Sequence, residues 1–168
     1  MTENEDRVLL MSTYQTIYSE QAVTENDLAE TILECTEMEC GQECFSSIKS
    51  MRCDSNSQIM ASWCNSQGNI EDSNERPGVI QRLFRHRIYI NGEWRDHHLA
   101  AVNWYDIQME SSYAHPITVW KVRKYVSPGA ASFIPVQRIA RRFASAFGDE
   151  NGTQSVVVIP LMPRLTFQ

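Results

Sequence analysis

A chain of 168 residues and 19.3 kDa, 42% hydrophobic and 10% aromatic, has room for one domain with a tail or two very small ones, and enough apolar content for a core. No stretch approaches the roughly 18 apolar residues that cross a bilayer, which excludes a helical membrane span. The acid-rich start lacks a basic stretch leading into a long apolar run, so no signal peptide is visible. The net charge of −6 joins two opposed halves: residues 1–75 carry fifteen acids against Arg7, Lys49 and Arg52, a net of about −12, and residues 76–168 carry six acids against twelve Lys and Arg, about +6.

Taken in chain order, residues 1–22 are mixed polar with a short apolar patch at Val8, Leu9, Leu10 and Met11. Thr24 followed by Asp27 has the spacing of a capping box, and Leu28, Ile32 and Cys35 then share one helical face, which predicts a helix over 24–40. Gly41 interrupts it, and Phe45, Ile48 and Met51 fit a second short helix. Residues 54–78 are rich in Ser, Asn, Asp and Gln and end in Arg76-Pro77-Gly78; they read as a linker, or as an exposed loop with an isolated anchor at Trp63. An acidic region, 1–78, partly helical or disordered, is therefore expected before a β-rich module, 79–168. The acidic leader either keeps the chain solvated or folds back to screen the basic half.

After Gly78 the pattern turns to strands. Ile88-Tyr89-Ile90 and Glu93-Trp94 flank Asn91-Gly92, the dipeptide that takes the positive φ angles of a type I′ hairpin turn, and the returning strand extends through Leu99 and Val102 to Tyr105. A third strand is expected over 117–126, then a turn at Ser127-Pro128-Gly129. A short strand over 133–136 carries Pro135, which suits an edge or a bulge. Ile139, Phe143 and Phe147, spaced by four, predict a helical turn or more within 137–147. A turn over 148–152 then leads into a last strand over 156–161.

Cys35, Cys40, Cys44, Cys53 and Cys64 all lie in the acidic half, without a Cys-x-x-Cys pair or an interspersed His. Their odd number does not close a disulfide framework, so reduced thiols in an intracellular chain are expected, with no metal and no cofactor. There is no Gly-x-Ser-x-Gly elbow, phosphate-binding glycine loop or His-Glu-x-x-His. His97 and His98, next to Asp96, are neighbours on a strand and face opposite sides, so they do not chelate one ion. No signal brings His86 and His115 together. Surrounding glutamates would raise a cysteine's pKa, against a thiolate nucleophile. No catalytic residue is nominated, and the chain is expected not to be an enzyme.

Three short motifs carry a resemblance: Val102-Asn103-Trp104-Tyr105, Val119-Trp120, and Ile134-Pro135-Val136-Gln137-Arg138-Ile139. Over 98–142 the chain resembles the later part of a bromo-adjacent homology (BAH) domain, and it is similar to proteins encoded in or near mobile elements. It departs where an Arg-Pro-Glu-like step often follows the Trp strand, which here is Asp106-Ile107-Gln108. The resemblance implies a mainly β fold, a small partly open β-barrel, that binds protein without catalysis, in chromatin and so in the nucleus rather than the cytoplasm. A histone tail or chromatin protein is the implied partner. An aromatic cage around a methylated lysine works by cation–π attraction, and its candidates are Trp104, Tyr105, Tyr113, Trp120 and Tyr125. Alternation sets Trp104 and Tyr105 on opposite faces, against both lining one pocket.

The cations support another binding reading. Arg85, Arg87, Lys121, Arg123, Lys124, Arg138, Arg141 and Arg142, interleaved with aromatics, have the composition to track phosphates and stack on bases. The bland alternative is dispersed solubilising charge, partly paired with Asp96, Asp106 and Glu110. A nucleic-acid-binding module, or a mobile-element remnant with no dedicated partner, therefore stands beside protein recognition; no membrane partner is expected, and the oligomeric state is left open.

Overall fold

A computed structural model describes residues 3–41, 43–49, 56–64, 69–70, 75–113, 117–123, 131–150 and 153–161; residues 3–4, 106–113, 117–123, 147–150 and 153–155 are described by their backbone alone. The chain begins with helix α1, Glu3–Ile17, where a mixed polar segment is expected from sequence. Acids in its first turn complement the helix dipole. Leu10 and Tyr14, four apart, are buried with Asp6 and Thr13, while Val8 is exposed. Thr13 and Thr16 return their hydroxyls to the carbonyls of Leu9 and Ser12, so neither hydroxyl competes with the helix for backbone donors.

The helix expected over 24–40 is not there. The Thr24 backbone N–H and hydroxyl both donate to the Asp27 carboxylate, at 2.8 and 2.7 Å, but the turn they cap is one of 3-10 type, Glu25–Asp27. These bonds hold the Asp27 carboxyl below its ordinary value. The chain then enters short strands β1 (Leu33–Cys35), β2 (Glu37–Cys40) and β3 (Glu43–Ser46), with β2 and β3 forming a separate hairpin that occupies part of the second expected helix. Gly41 opens its turn at φ 63°. β4 (Gln58–Ala61) lies within the expected linker, and Trp63 behind it is buried rather than an isolated anchor on a loop.

The body of the fold is one antiparallel sheet. Its longest members are β5 (Arg76–Ile90) and β6 (Glu93–Trp104), followed by β7 (Asp106–Tyr113), β8 (Ile117–Arg123), β9 (Phe133–Pro135), β10 (Ile139–Glu150) and β11 (Thr153–Pro160). The order is β7-β8-β11-β10-β4-β5-β6-β9. β10 replaces the helix expected within 137–147; only Val136–Arg138 makes a 3-10 turn. β9, carrying Pro135, is an edge strand. Among the described residues no pairing joins the end strands β7 and β9, so the described sheet is open and no closed barrel is found. The fold is mainly β.

The chain before residue 76 supplies the second edge of β5. β4 pairs with 76–79, the Ile48 amide bonds the Ile80 carbonyl, β1 pairs with 83–85, Leu28 bridges Ile88, and the Ala29 amide bonds the Arg87 carbonyl. A strand this long presents a row of backbone groups that must be satisfied, and serving that edge overrides the weak helical pattern of 24–40. The expected division at residue 78 falls inside β5.

A β-bulge between Ile80 and Arg82 decides which face each residue takes. Before it the even positions Gly78 and Ile80 face the first core; after it the odd position Leu83 does. That core joins Ile80, Leu83, Ala100, Val102, Trp104 and Ile134 to Phe45, Trp63, Val136 and others. Gly78 is required by close approach: a Cβ there would meet Val102 Cγ1 at 2.5 Å and Trp104 Cε3 at 3.0 Å. The opposite face carries Phe84, Ile88, Leu99, Ala101 and Phe133 beneath Leu10 and Tyr14 of α1. A small third cluster of Met60, Phe143, Val156 and Val158 lies beside Tyr105.

Candidate interaction surface

The Asn91-Gly92 turn has φ values of 52° and 82°, as type I′ requires, and it sets the register of β5 on β6. Three successive same-face pairs follow: Tyr89 opposite Trp94, Arg87 opposite Asp96, Arg85 opposite His98. Leu33 of β1 extends the Arg85 row. This is the face that Leu83 buries in the first core, continued past the point where that core covers it. Tyr89 and Trp94 are 42% and 46% exposed, which is high for such rings. Their centroids lie 5.4 Å apart, and the Arg87 guanidinium carbon sits 5.4 Å from the Trp94 ring. Asp96 Oδ1 lies 3.4 Å from Arg85 Nε and 3.6 Å from Arg87 Nε. The result is a stripe of two arginines, one aspartate, a histidine and an aromatic pair on a two-stranded arm.

The inner face of the same arm is closed by α1. His86 and His97 stand opposite each other on neighbouring strands. His86 Nε2 is 3.0 Å from the Ala29 carbonyl, which can only accept, so Nε2 carries the proton and Nδ1 accepts from the Tyr14 hydroxyl at 2.9 Å. One helical turn on, the Tyr18 hydroxyl lies 2.8 Å from His97 Nε2. Burial pushes both imidazoles below their ordinary value and raises the Tyr14 phenol.

Of the aromatic candidates, the two with described side chains, Trp104 and Tyr105, do not share a pocket. Trp104 is buried, and its indole N–H donates to the Ala131 carbonyl at 2.6 Å. Tyr105 faces the other way, edge-on to Phe143 at 6.1 Å. Tyr113 and Trp120 take different rungs of the β7–β8 pair, opposite Ile117 and Glu110. Tyr125 lies outside the described residues, as do Lys124, His115, Cys53 and the turn expected at 127–129. Of the turn expected over 148–152, residues 148–150 instead continue β10 paired with β11, and 151–152 lie outside the described residues.

Most of the described candidate arginines have partners within the chain. Arg141 forks onto Glu75 with bonds of 2.9 and 2.8 Å. Arg142 bonds Glu43 and Asn56, each at 2.9 Å, and Arg138 lies 5.7 Å over Trp63. Lys121 stands opposite Val157 and Met109, and Arg123 opposite Asp106, by backbone register. Arg82 binds Asp6 and Glu34, both at 2.7 Å, in an open cleft of about 920 Å³ between α1 and residues 28–34. Among the described residues no group of His, Cys, Asp and Glu is placed to hold a metal, and Cys35, Cys40, Cys44 and Cys64 form no disulfide. No described helix is long and apolar enough to cross a membrane.

Tyr89 and Trp94 are surface residues that composition did not single out. The signal was present: both are placed by counting outward from Asn91-Gly92. Comparison with protein-family models, curated proteins and solved structures finds no match.

Proposed function

We propose that the chain is a non-catalytic recognition module that binds protein through the outward face of the β5–β6 arm. The observation that carries this is the exposed Tyr89–Trp94 pair flanked by Arg87 and Arg85. Trp, Tyr and Arg are the residues that concentrate binding energy at protein interfaces, and a strand pair holds them at little entropic cost. Two arginines and a histidine against the single Asp96 favour an extended segment that alternates acidic with aromatic or aliphatic side chains. Arg87 already occupies the Trp94 face, which disfavours a methyl-lysine there.

The BAH-like assignment and its partly open barrel stay with this proposal on the strength of their three motifs, as do chromatin and the nucleus. Nucleic acid is the second reading, favoured by stackable rings beside arginines. It is weakened by the partners that Arg82, Arg141 and Arg142 find among the chain's own acids. The test is fluorescence anisotropy of the full chain with three probes at low and physiological salt: a peptide alternating Glu with Phe and Leu, a histone-tail peptide, and single-stranded DNA. Salt-tolerant, saturable binding of the acidic peptide is expected. Binding of DNA alone, lost as salt rises, would replace protein with nucleic acid. Silence toward all three would favour the remnant with no dedicated partner.

A further inference from the structure

We propose that α1 is an acid-released cover on the back of the β5–β6 arm, held there by the Tyr14–His86 and Tyr18–His97 pairs. This goes beyond the recognition reading and does not depend on what the outward face binds.

The four rings form one unit. Tyr14 and Tyr18 are a helical turn apart, and His86 and His97 are cross-strand partners. Tyr14 packs against both imidazoles, with centroids 5.6 Å from His86 and 5.2 Å from His97. With His86 neutral, Nε2–H on the Ala29 carbonyl and Nδ1 accepting from Tyr14, the ring and the Tyr14 hydroxyl proton are all satisfied together. A proton on Nδ1 removes that acceptor, and the buried Tyr14 hydroxyl must turn its own hydrogen away. At the second pair the Tyr18 hydroxyl lies 2.8 Å from His97 Nε2.

The charged groups around the pair favour its neutral form. From α1, Arg7 opposes a charge on His86. From β6, Arg95 and His98 oppose a charge on His97, and Asp96 alone works the other way. Along the cleft, Glu34 and Asp6 are taken up by Arg82, and Glu30 lies at the rim near His86. Charging both histidines would place two cations on directly opposite residues of adjacent strands, about 5 Å apart at Cβ.

With α1 docked, each histidine binds a proton less readily than it does free of the helix. The released state therefore holds more protons as pH falls below the ordinary histidine value, and docking is lost in that direction. It is fully present above about pH 6.5, and below that each histidine weakens it by up to about tenfold per pH unit until its folded-state pKa is reached. Release uncovers Phe84, Ile88, Leu99 and Phe133.

Hydrogen exchange of the full chain at about pH 7.5 and about pH 5, corrected for intrinsic rates, tests this. The expected result is that amides of 7–17 lose at least about tenfold more protection than those of 83–90. The variant H86Q/H97Q should remove the difference. NMR titration of the two histidines in the unaltered chain gives an independent reading, with both expected below the ordinary value. Equal protection of α1 at both pH values, loss of α1 and β5 together, or histidines titrating at or above the ordinary value would overturn the proposal.

Discussion

Replacing Trp104 by alanine is expected to lower unfolding free energy by about 3–5 kcal/mol in denaturant titration. Its indole fills the first core between Gly78 and the β9 approach, and its N–H satisfies the Ala131 carbonyl. Truncation leaves a cavity and removes that carbonyl's donor together. The same change at Trp94, half-exposed on the arm, should cost under about 1 kcal/mol. The two tryptophans are thereby separated: a cage residue at Trp104 would lose ligand and keep stability, whereas a core residue loses stability first.

The second large effect is expected at Arg82. Its guanidinium bonds Asp6 Oδ2 and Glu34 Oε1, and Asp6 is 7% exposed with its other carboxylate oxygen unbonded. Arg82→Gln strands the Asp6 carboxylate in the seam between α1 and the sheet. Breaking a buried pair costs about 3–5 kcal/mol, and partial exposure of Arg82 reduces this to about 2–3 kcal/mol. The double change Arg82→Gln with Asp6→Asn should recover part of the loss, because no uncompensated charge then remains buried.

Much of the arm was legible from two residues. Counting outward from Asn91-Gly92 pairs Tyr89 with Trp94 and His86 with His97, and holds as far as Arg82 with Ala101. Beyond that the bulge after Ile80 shifts the register, which no alternation rule foresees. Pro135 marked its edge strand for a similar reason, since the missing N–H has a cost only inside a sheet. The errors share another cause. Ile139 and Phe143 are spaced by four, which fits a helix face, but β10 pairs with β4 and β11 and a register shift after Ile139 sends Ile139 to the first core and Phe143 to the third cluster. Within 24–40, Leu28, Ala29 and β1 went to the edge of β5, while 37–40 paired with β3 in the separate hairpin. In α1 the stripe of Leu10, Tyr14 and Ile17 was hidden by the contiguous run Val8 to Met11. The arginines looked free because their partners, such as Glu75 for Arg141 and Glu43 for Arg142, lie far away in sequence. Tyr14 meets His86 across an equally long separation.

The measurement that bears most directly on the outward arm as contact surface is amide chemical-shift mapping of the full chain, titrated with the peptide that alternates Glu with Phe and Leu. Shifts are expected to gather at Arg85, Arg87, Tyr89, Trp94, Asp96 and His98, and to vanish in Tyr89→Ala/Trp94→Ala while the fold persists. Binding that shifts residues elsewhere, or that survives the double variant unchanged, would contradict it.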